Sequence, residues 1–412
     1  MNISFFIAKK LMVEKPPQYK GKGNGFSKLI INLAMAAVCI SVMVMIIAIA
    51  IVKGYQQQVR NKIIGFNSNI QVTHLDLNNS YESLPIERDT LFERMARKQT
   101  GITGIQRFAT KAGIIKTDES FEGIVLKGVD SDYNWGFLKT HTQVGDTFTV
   151  NDSMVSNNIM LSKITANRMN LKLGDPVFIY FIQDPPRIRK FKICGIFDTG
   201  MGDLDEIYAF ADIKQVQKLN NWKPMQISGY ELGLNEFKET ENIRESLAGI
   251  TPYTMGISSI FELYPALFDW LLLLDMNVVI IIILMIAVAA INMITALLIL
   301  ILERTQMVGV LKALGSTDSM ISKIFLYMAA NIIFKGLLLG NFLGIGLAWL
   351  QMHYGFFKLD QSSYYLDSVP IELVFKDILL INLGSFVICL LILILPAKFV
   401  SKIKPVKSIK FN

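Results

Sequence analysis

Three stretches of this chain stay free, or all but free, of charge for longer than a lipid bilayer is thick. Residues 29–52 and 276–302 contain no Asp, Glu, Lys or Arg, and residues 324–350 contain only Lys335. A helix rises about 1.5 Å per residue and bilayer hydrocarbon is about 30 Å thick, so about 20 apolar residues suffice to cross. A fourth run, 378–396, just reaches that length. The composition agrees: 52% of residues are apolar, 18% are charged and mean hydropathy is +0.40, whereas about a quarter of a soluble domain is charged. The chain reads as a membrane α-helical protein with four transmembrane helices.

The flanks of these runs set an orientation, because cytoplasmic flanks are enriched in Lys and Arg. Lys9, Lys10, Lys15, Lys20, Lys22 and Lys28 precede the first run against the single acid Glu14, and Lys398, Lys402, Lys404, Lys407 and Lys410 follow the fourth with no acid. Both termini are expected to be cytoplasmic, as is the loop carrying Arg304 and Lys312. Residues 53–275 hold 24 basic and 27 acidic residues and belong outside. The net charge of +7 therefore sits on membrane flanks and gives no reason to expect a nucleic-acid partner. The expected division is a basic tail (1–28), helix one (29–52), an extracytoplasmic domain with a stalk (53–275), helix two (276–302), a cytoplasmic loop (303–322), helix three (323–351), an outer loop (352–376), helix four (377–396) and a basic tail (397–412). The first apolar run is too long for a secretory signal core of about 7–15 residues, so it reads as an uncleaved anchor. Cys39 and Cys389 fall inside spans and only Cys194 lies outside them, which leaves no disulfide framework.

The region between spans one and two reads as mixed α and β. Strand-like runs occur at 69–73, 102–110, 112–116, 122–129, 147–150, 177–182 and 191–197, several alternating apolar with polar. Helical patterns lie at 86–98, with Leu91, Met95 and Phe92 on one face, at 162–171 before Gly174, and at 236–247.

A search for chemistry returns negatives. No Gly-x-x-x-x-Gly-Lys-[Ser/Thr] phosphate loop is present, and Gly195 to Gly200 is followed by Met201. His74, His141 and His353 are scattered, without zinc-ligand spacing or Cys-x-x-Cys. No Gly-x-Ser-x-Gly elbow occurs, and Asp203 with Asp205 lies in a Gly-flanked turn where capping accounts for both. No metal site, bound cofactor or enzymatic activity is expected of this chain.

The informative stretch joins spans two and three: Glu303-Arg304-Thr305-Gln306-Met307-Val308-Gly309-Val310-Leu311-Lys312-Ala313-Leu314-Gly315. It reads as a short amphipathic helix closed by Gly315. By itself it is equally a plain interfacial linker. Its wording resembles the coupling helix of FtsX-like (MacB-type) ABC transporter permeases. The residues from Ile159 to Asp175, the run Phe191-Lys-Ile-Cys-Gly-Ile-Phe197 and the ending Pro396-Ala397 followed by Ile403-Lys-Pro405-Val-Lys-Ser-Ile409 are similar to the same family. Ile7-Ala8-Lys-Lys-Leu11, Gly54-Tyr55 and Tyr364-Tyr-Leu-Asp-Ser-Val-Pro370 look most like the LolC/LolE permeases of lipoprotein-releasing systems.

The resemblance implies an α+β extracytoplasmic, MacB-like periplasmic core domain between helices one and two. It further implies an inner-membrane permease paired with itself or with a sibling, docked on two copies of a separate ATPase that holds ATP and Mg. Glu303, Arg304, Met307, Gly309, Leu311, Lys312, Ala313, Leu314 and Gly315 would form the coupling surface. The substrate would be a lipoprotein, its acyl chains near Met43, Met45, Ile47 and Met293, handed to a LolA-like carrier. One departure concerns that carrier. Where LolC-type permeases carry a long hook, this chain has Gln183-Asp184-Pro185-Pro186-Arg187-Ile188-Arg189-Lys190, which is either a plain turn or a shortened carrier contact. An FtsX-like regulator of a cell-wall hydrolase and a MacB-like efflux permease are the alternatives.

Two features of span three remain open from sequence. Lys335 lies either mid-membrane, where a cation costs about 2.5–3.5 kcal/mol and needs a partner, or close enough to a surface to snorkel. Gly336, Gly340 and Gly344 present a small-residue face for packing, within the chain or across a dimer.

Overall fold

The structure, a computed structural model, describes residues 3–13, 26–76, 80–82, 84–117, 120–151 and 154–398. Lys15, Lys20, Lys22, Lys402, Lys404, Lys407, Lys410 and the 403–409 motif lie outside them. In chain order the elements begin with α1 (Ile3–Val13), α2 (Phe26–Asn67), β1 (Ile70–His74), β2 (Ile86–Glu87), α3 (Thr90–Lys98), β3 (Ile102–Lys116), β4 (Phe121–Val129) and α4 (Gly136–His141). Then come β5 (Thr142–Gly145), β6 (Asn158–Ser162), α5 (Lys163–Arg168), β7 (Pro176–Phe181), β8 (Arg187–Phe197), α6 (Gly202–Asp205), β9 (Tyr208–Asp212) and α7 (Ile213–Leu219). The remainder is β10 (Gln226–Ile227), β11 (Gly229–Leu234), α8 (Thr240–Ala248), β12 (Met255–Ser259), α9 (Ile260–Leu263), α10 (Pro265–Glu303), α11 (Thr305–Ala313), α12 (Asp318–Tyr354), α13 (Gln361–Tyr364) and α14 (Phe375–Lys398).

The chain divides into two units: the helical one comprises Met1–Gln56, Leu271–Phe357 and Val369–Asn412, and the α+β one comprises Gln57–Trp270 and Lys358–Ser368. In the helical unit α2, α10, α12 and α14 are each long and apolar enough to cross a membrane. At about 1.5 Å per residue, the 42 residues of α2 and 39 of α10 outrun the hydrocarbon about twofold. Val38, Val42, Met45 and Ile46 of α2 pack with Met293 and Leu297 of α10, Ile333 and Leu337 of α12 and Leu393 of α14. Glycine permits the approach of α12 to α2: a Cβ on Gly336 would lie 2.8 Å from the Val38 side chain, and one on Gly340 would lie 2.7 Å from the Cys39 carbonyl. The three-glycine face is thus filled from within the chain, with Gly344 against Met43. α12 and α14 are joined by an amide pair, Asn341 Nδ2 donating to Asn382 Oδ1 at 2.6 Å and Asn382 Nδ2 donating back at 2.9 Å.

In the α+β unit β3 carries the architecture. Its first half pairs with β11 and its second with β4, meeting at Phe108. From there β4–β9–β6–β8–β7 continues until β7 returns to β3 through Ile114 and Ile115, closing a ring of strands. β7 alternates as that closure requires: Val177, Ile179 and Phe181 face in, Phe178 and Tyr180 face out. On the other side, β11 leads to β1 and then β12, so the chain enters and leaves this unit on neighbouring antiparallel strands, with Ile70 opposite Ser259. Short helices begin where side chains cap them: Asp89 accepts from the amides of Leu91 and Phe92, Ser162 from Thr165 and Asp212 from Lys214.

Several sequence expectations are corrected. The runs 102–110 and 112–116 are one strand, β3. Residues 147–150 form no strand; Phe148 and Val150 are buried without ladder partners, Phe148 packing edge-on against Trp135, so burial mimicked the alternation of a strand. The helix expected from residue 86 starts at Thr90, because Ile86 and Glu87 pair with β10. It buries Phe92 and Ala96 and leaves Leu91 exposed. The helix expected over 162–171 stops at Arg168. Tyr264 interrupts the stalk before Pro265 opens α10, a proline at the first helical position where its missing N–H costs nothing.

Candidate functional site

α10 ends at Glu303 and Arg304 turns the chain with φ −98° and ψ 19°, after which α11 begins. Gly315 stops it in the left-handed region at φ +88°. The Ser316 amide reaches back to Leu311 O and the Gly315 amide to Lys312 O, each at 3.0 Å, which satisfies the last carbonyls of the helix. Thr317 then caps α12 through the Met320 amide, and Lys312 Nζ lies 2.8 Å from Asp318 Oδ1. That ion pair places a cation at the end of α11 and an anion in the first turn of α12, as both helix dipoles favour.

α11 has two apolar sides. Val308 and Gly309 are buried, and Met307 and Leu311 pack partly into the helical core. Gln306, Val310, Ala313 and Leu314 face out at spacings of four, three and one, Val310 being 52% and Leu314 78% exposed. Glu303 is exposed and Arg304 half-buried beside this stripe. Of the nine expected coupling residues, the structure therefore turns Ala313, Leu314 and Gly315 outward and Met307, Gly309 and Leu311 inward. Val310 was missed, although the sequence displays its helical spacing. Burying a Val or Leu side chain contributes about 1.5–3 kcal/mol, so two exposed on one turn mark a surface suited to a partner.

The residues expected to line a substrate cavity do not form one. Met45 and Met293 are each 1% exposed in the helical core, and Met43 and Ile47 are half-buried. Lipid-facing, core-facing and cavity-facing Met and Ile look alike in sequence. Lys335 is exposed beside Gly336, which packs at the level of Met35 and Val38.

In the α+β unit, the 183–190 link is shorter than expected. β7 ends at Phe181 and β8 starts at Arg187, so Asp184, Pro185 and Pro186 make a turn while Arg187 and Arg189 are strand residues. The Arg187 guanidinium is tied back to Lys218 O at 2.6 Å and Asn221 Oδ1 at 2.6 Å. This is a plain hairpin without a protruding hook.

Two buried charges went unread. Lys127 Nζ donates to Glu231 Oε1 and to Phe66 O, both at 2.6 Å, and Gln71 and Gln106 complete the Glu231 carboxylate at 3.0 Å each. The pair floors a cavity of about 570 Å³ lined also by His74, Tyr81, Tyr208 and Tyr264. Burial pushes the Tyr208 and Tyr264 hydroxyls well up. The available signal was Lys127 within the otherwise uncharged run Gly123–Val129 and Glu231 as the one charge of Gly229–Leu234. Nearby, burial raises the Asp205 carboxyl to about 6, against the opposing hydrogen bonds from Thr199. Among the described residues no three His, Cys, Asp or Glu side chains gather as a metal site.

Comparison with known proteins draws these parts together. Residues 32–248, more than half of the chain, match the MacB-like periplasmic core domain, and residues 279–405 match the FtsX-like permease C-terminal region. The chain is an FtsX-like permease with a MacB-like periplasmic core domain. Over 406 residues the permease is 19% identical to the lipoprotein-releasing system transmembrane protein LolC of Xylella fastidiosa, covering 94% of this chain and 95% of that one. It is 21% identical over 420 residues to the corresponding LolE of Haemophilus influenzae, covering 98% of each. Among solved structures, the periplasmic region of MacB from Actinobacillus actinomycetemcomitans is matched with a TM-score of 0.35 and 14% identity, covering 52% of this chain and 99% of that one. The permease is thus a multi-pass ABC transporter subunit of the FtsX/MacB type, from a family of typically non-catalytic subunits, and its family implies a partner ATPase.

Proposed function

We propose that this permease couples ATP hydrolysis by a separate cytoplasmic ATPase, bound in two copies, to the release of outer-membrane lipoproteins from the inner membrane. ATP and Mg²⁺ belong to the ATPase and none is held by this chain. α11 and both termini face the cytoplasm, the MacB-like domain faces the periplasm, and the permease works as a pair, with a second copy or a LolC/LolE-like sibling. The exposed stripe Gln306, Val310, Ala313 and Leu314 carries the coupling part of this reading: the opposite side of α11 is already packed, so the stripe is left for a partner. Full-length LolC and LolE relatives support the substrate. The need for ATP is physical. Each acyl methylene drawn from lipid forfeits about 0.8 kcal/mol, so two or three chains are not released spontaneously.

Val310→Asp with Leu314→Asp should abolish copurification of the ATPase from native membranes while the permease still accumulates; an intact complex would remove the coupling assignment. Asp at Gly309 or Leu311 disrupts packing instead and is not a test of docking. The plain β7–β8 hairpin favours a second reading, an FtsX-like regulator of a periplasmic cell-wall hydrolase that needs no carrier. Mass spectrometry of the purified complex separates the two, since triacylated lipoprotein supports release and a wall hydrolase without lipoprotein supports regulation.

A further inference from the structure

The connection between α12 and α14 is built as a rigid hairpin. At its base the buried Gln351 side chain donates to Phe357 O at 3.2 Å and to Val369 O at 3.1 Å and accepts from the Phe357 amide at 3.0 Å, holding the two ends together. Above it Lys358 bridges Ser368, and the Leu359 amide donates to Asp367 O at 3.0 Å. At the tip Asp360 starts α13, and Tyr365 ends it in the left-handed region at φ +59°.

Eleven residues of this hairpin, Lys358–Ser368, belong to the α+β unit although they connect two helices of the other unit. Four contacts hold them there. Leu366 is buried to 4% exposure. Lys62, on the extension of α2, donates to Tyr365 O at 2.6 Å. The Tyr365 hydroxyl donates to Asp203 at 3.2 Å. Gly200, at φ +74°, leaves room for the Gln361 side chain where a Cβ would collide. Because its base and ladder are already ordered, docking fixes fewer further torsions than it would in a free 11-residue loop.

We propose that Lys358–Ser368 is a strap that moves with the MacB-like domain rather than with the helices it connects. α12 follows α11 directly in the chain, so the strap gives motion of α11 a route into the domain additional to α2 and α10. The coupling half of this statement rests on the ABC reading above; the docking half does not.

Amide hydrogen exchange on the full chain in detergent tests the docking. The Leu359 and Tyr365 amides should be protected, and Lys62→Met or Leu366→Ala should speed their exchange at least tenfold while amides of β4 and β9 keep theirs. Fast exchange in the unaltered chain, or no change in either variant, overturns the strap. In the complex with its ATPase, spin labels at Ser363 and Lys139, both in the α+β unit, should keep one distance distribution with and without vanadate-trapped ATP. A shifted or broadened distribution shows the strap leaving the domain and also overturns it. If no ATPase accompanies the chain, the ABC reading fails while the exchange result still decides whether the strap is docked.

Discussion

Lys127 and Glu231 illustrate why a single buried charge is legible only in retrospect. Each sits among buried strand residues, and each is tolerable only because the other completes it, with Phe66 O, Gln71 and Gln106 supplying the remaining bonds. Removing one partner strands the other in low dielectric, so Glu231→Ala should destabilise the α+β unit by about 3–5 kcal/mol. Pairing it with Lys127→Met should restore much of that loss in a thermal melt. Asp205 provides a pH signature. Burial raises its carboxyl from the ordinary 3.8 to about 6, so the fold prefers the protonated form. The stability this group contributes is therefore full below about pH 4 and is lost as pH rises through 6, by up to about 3 kcal/mol. The melting temperature of the unaltered protein minus that of Asp205→Asn should fall between about pH 4 and pH 6 and level off above that. An unchanging difference would show that the carboxyl titrates normally.

At the scale of elements, the glycines of α12 act as a shape. Gly340 brings its backbone so close to Cys39 and Val42 of α2 that any side chain must push the helices apart. Gly340→Leu should overpack this contact at a cost of about 1–3 kcal/mol, or more where helices cannot shift, and lower the melting temperature of the purified chain. Half-buried Gly346, where an added Cβ meets nothing within 4 Å, should accept the same change with little effect. How far sequence reveals elements follows from this contrast. Charge-free runs located all four long helices because lipid imposes one unambiguous requirement. They did not reveal how far α2 and α10 continue past the apolar stretch, since helix propensity does not stop where hydrophobicity does. In the α+β unit, β7 and β8 were visible by alternation, whereas β9 and β11 were missed because strands buried on both faces do not alternate. Within α11 the helix and its stop at Gly315 were legible. Which apolar side already had a partner was not, because both sides carry the same residue types.

Across the whole molecule, the positions where the chain enters and leaves the MacB-like domain are neighbours. Ile70 lies opposite Ser259, the Ile260 amide donates to Asn69 O at 2.9 Å, and Asn67 donates to the Tyr264 hydroxyl at 2.5 Å. Paired strands run about 4.8 Å apart, so a few flexible residues could span the same gap. Replacing residues 70–259 with a short Gly-Ser linker should leave a four-helix protein that still inserts and still retains its ATPase, assayed by copurification from membranes. Loss of the ATPase together with the domain would show that the two units fold interdependently. The segment 70–259 is in this sense a cassette: its two ends meet at one doorway, so a different fold inserted there leaves the order in which the surrounding helices are strung together unchanged.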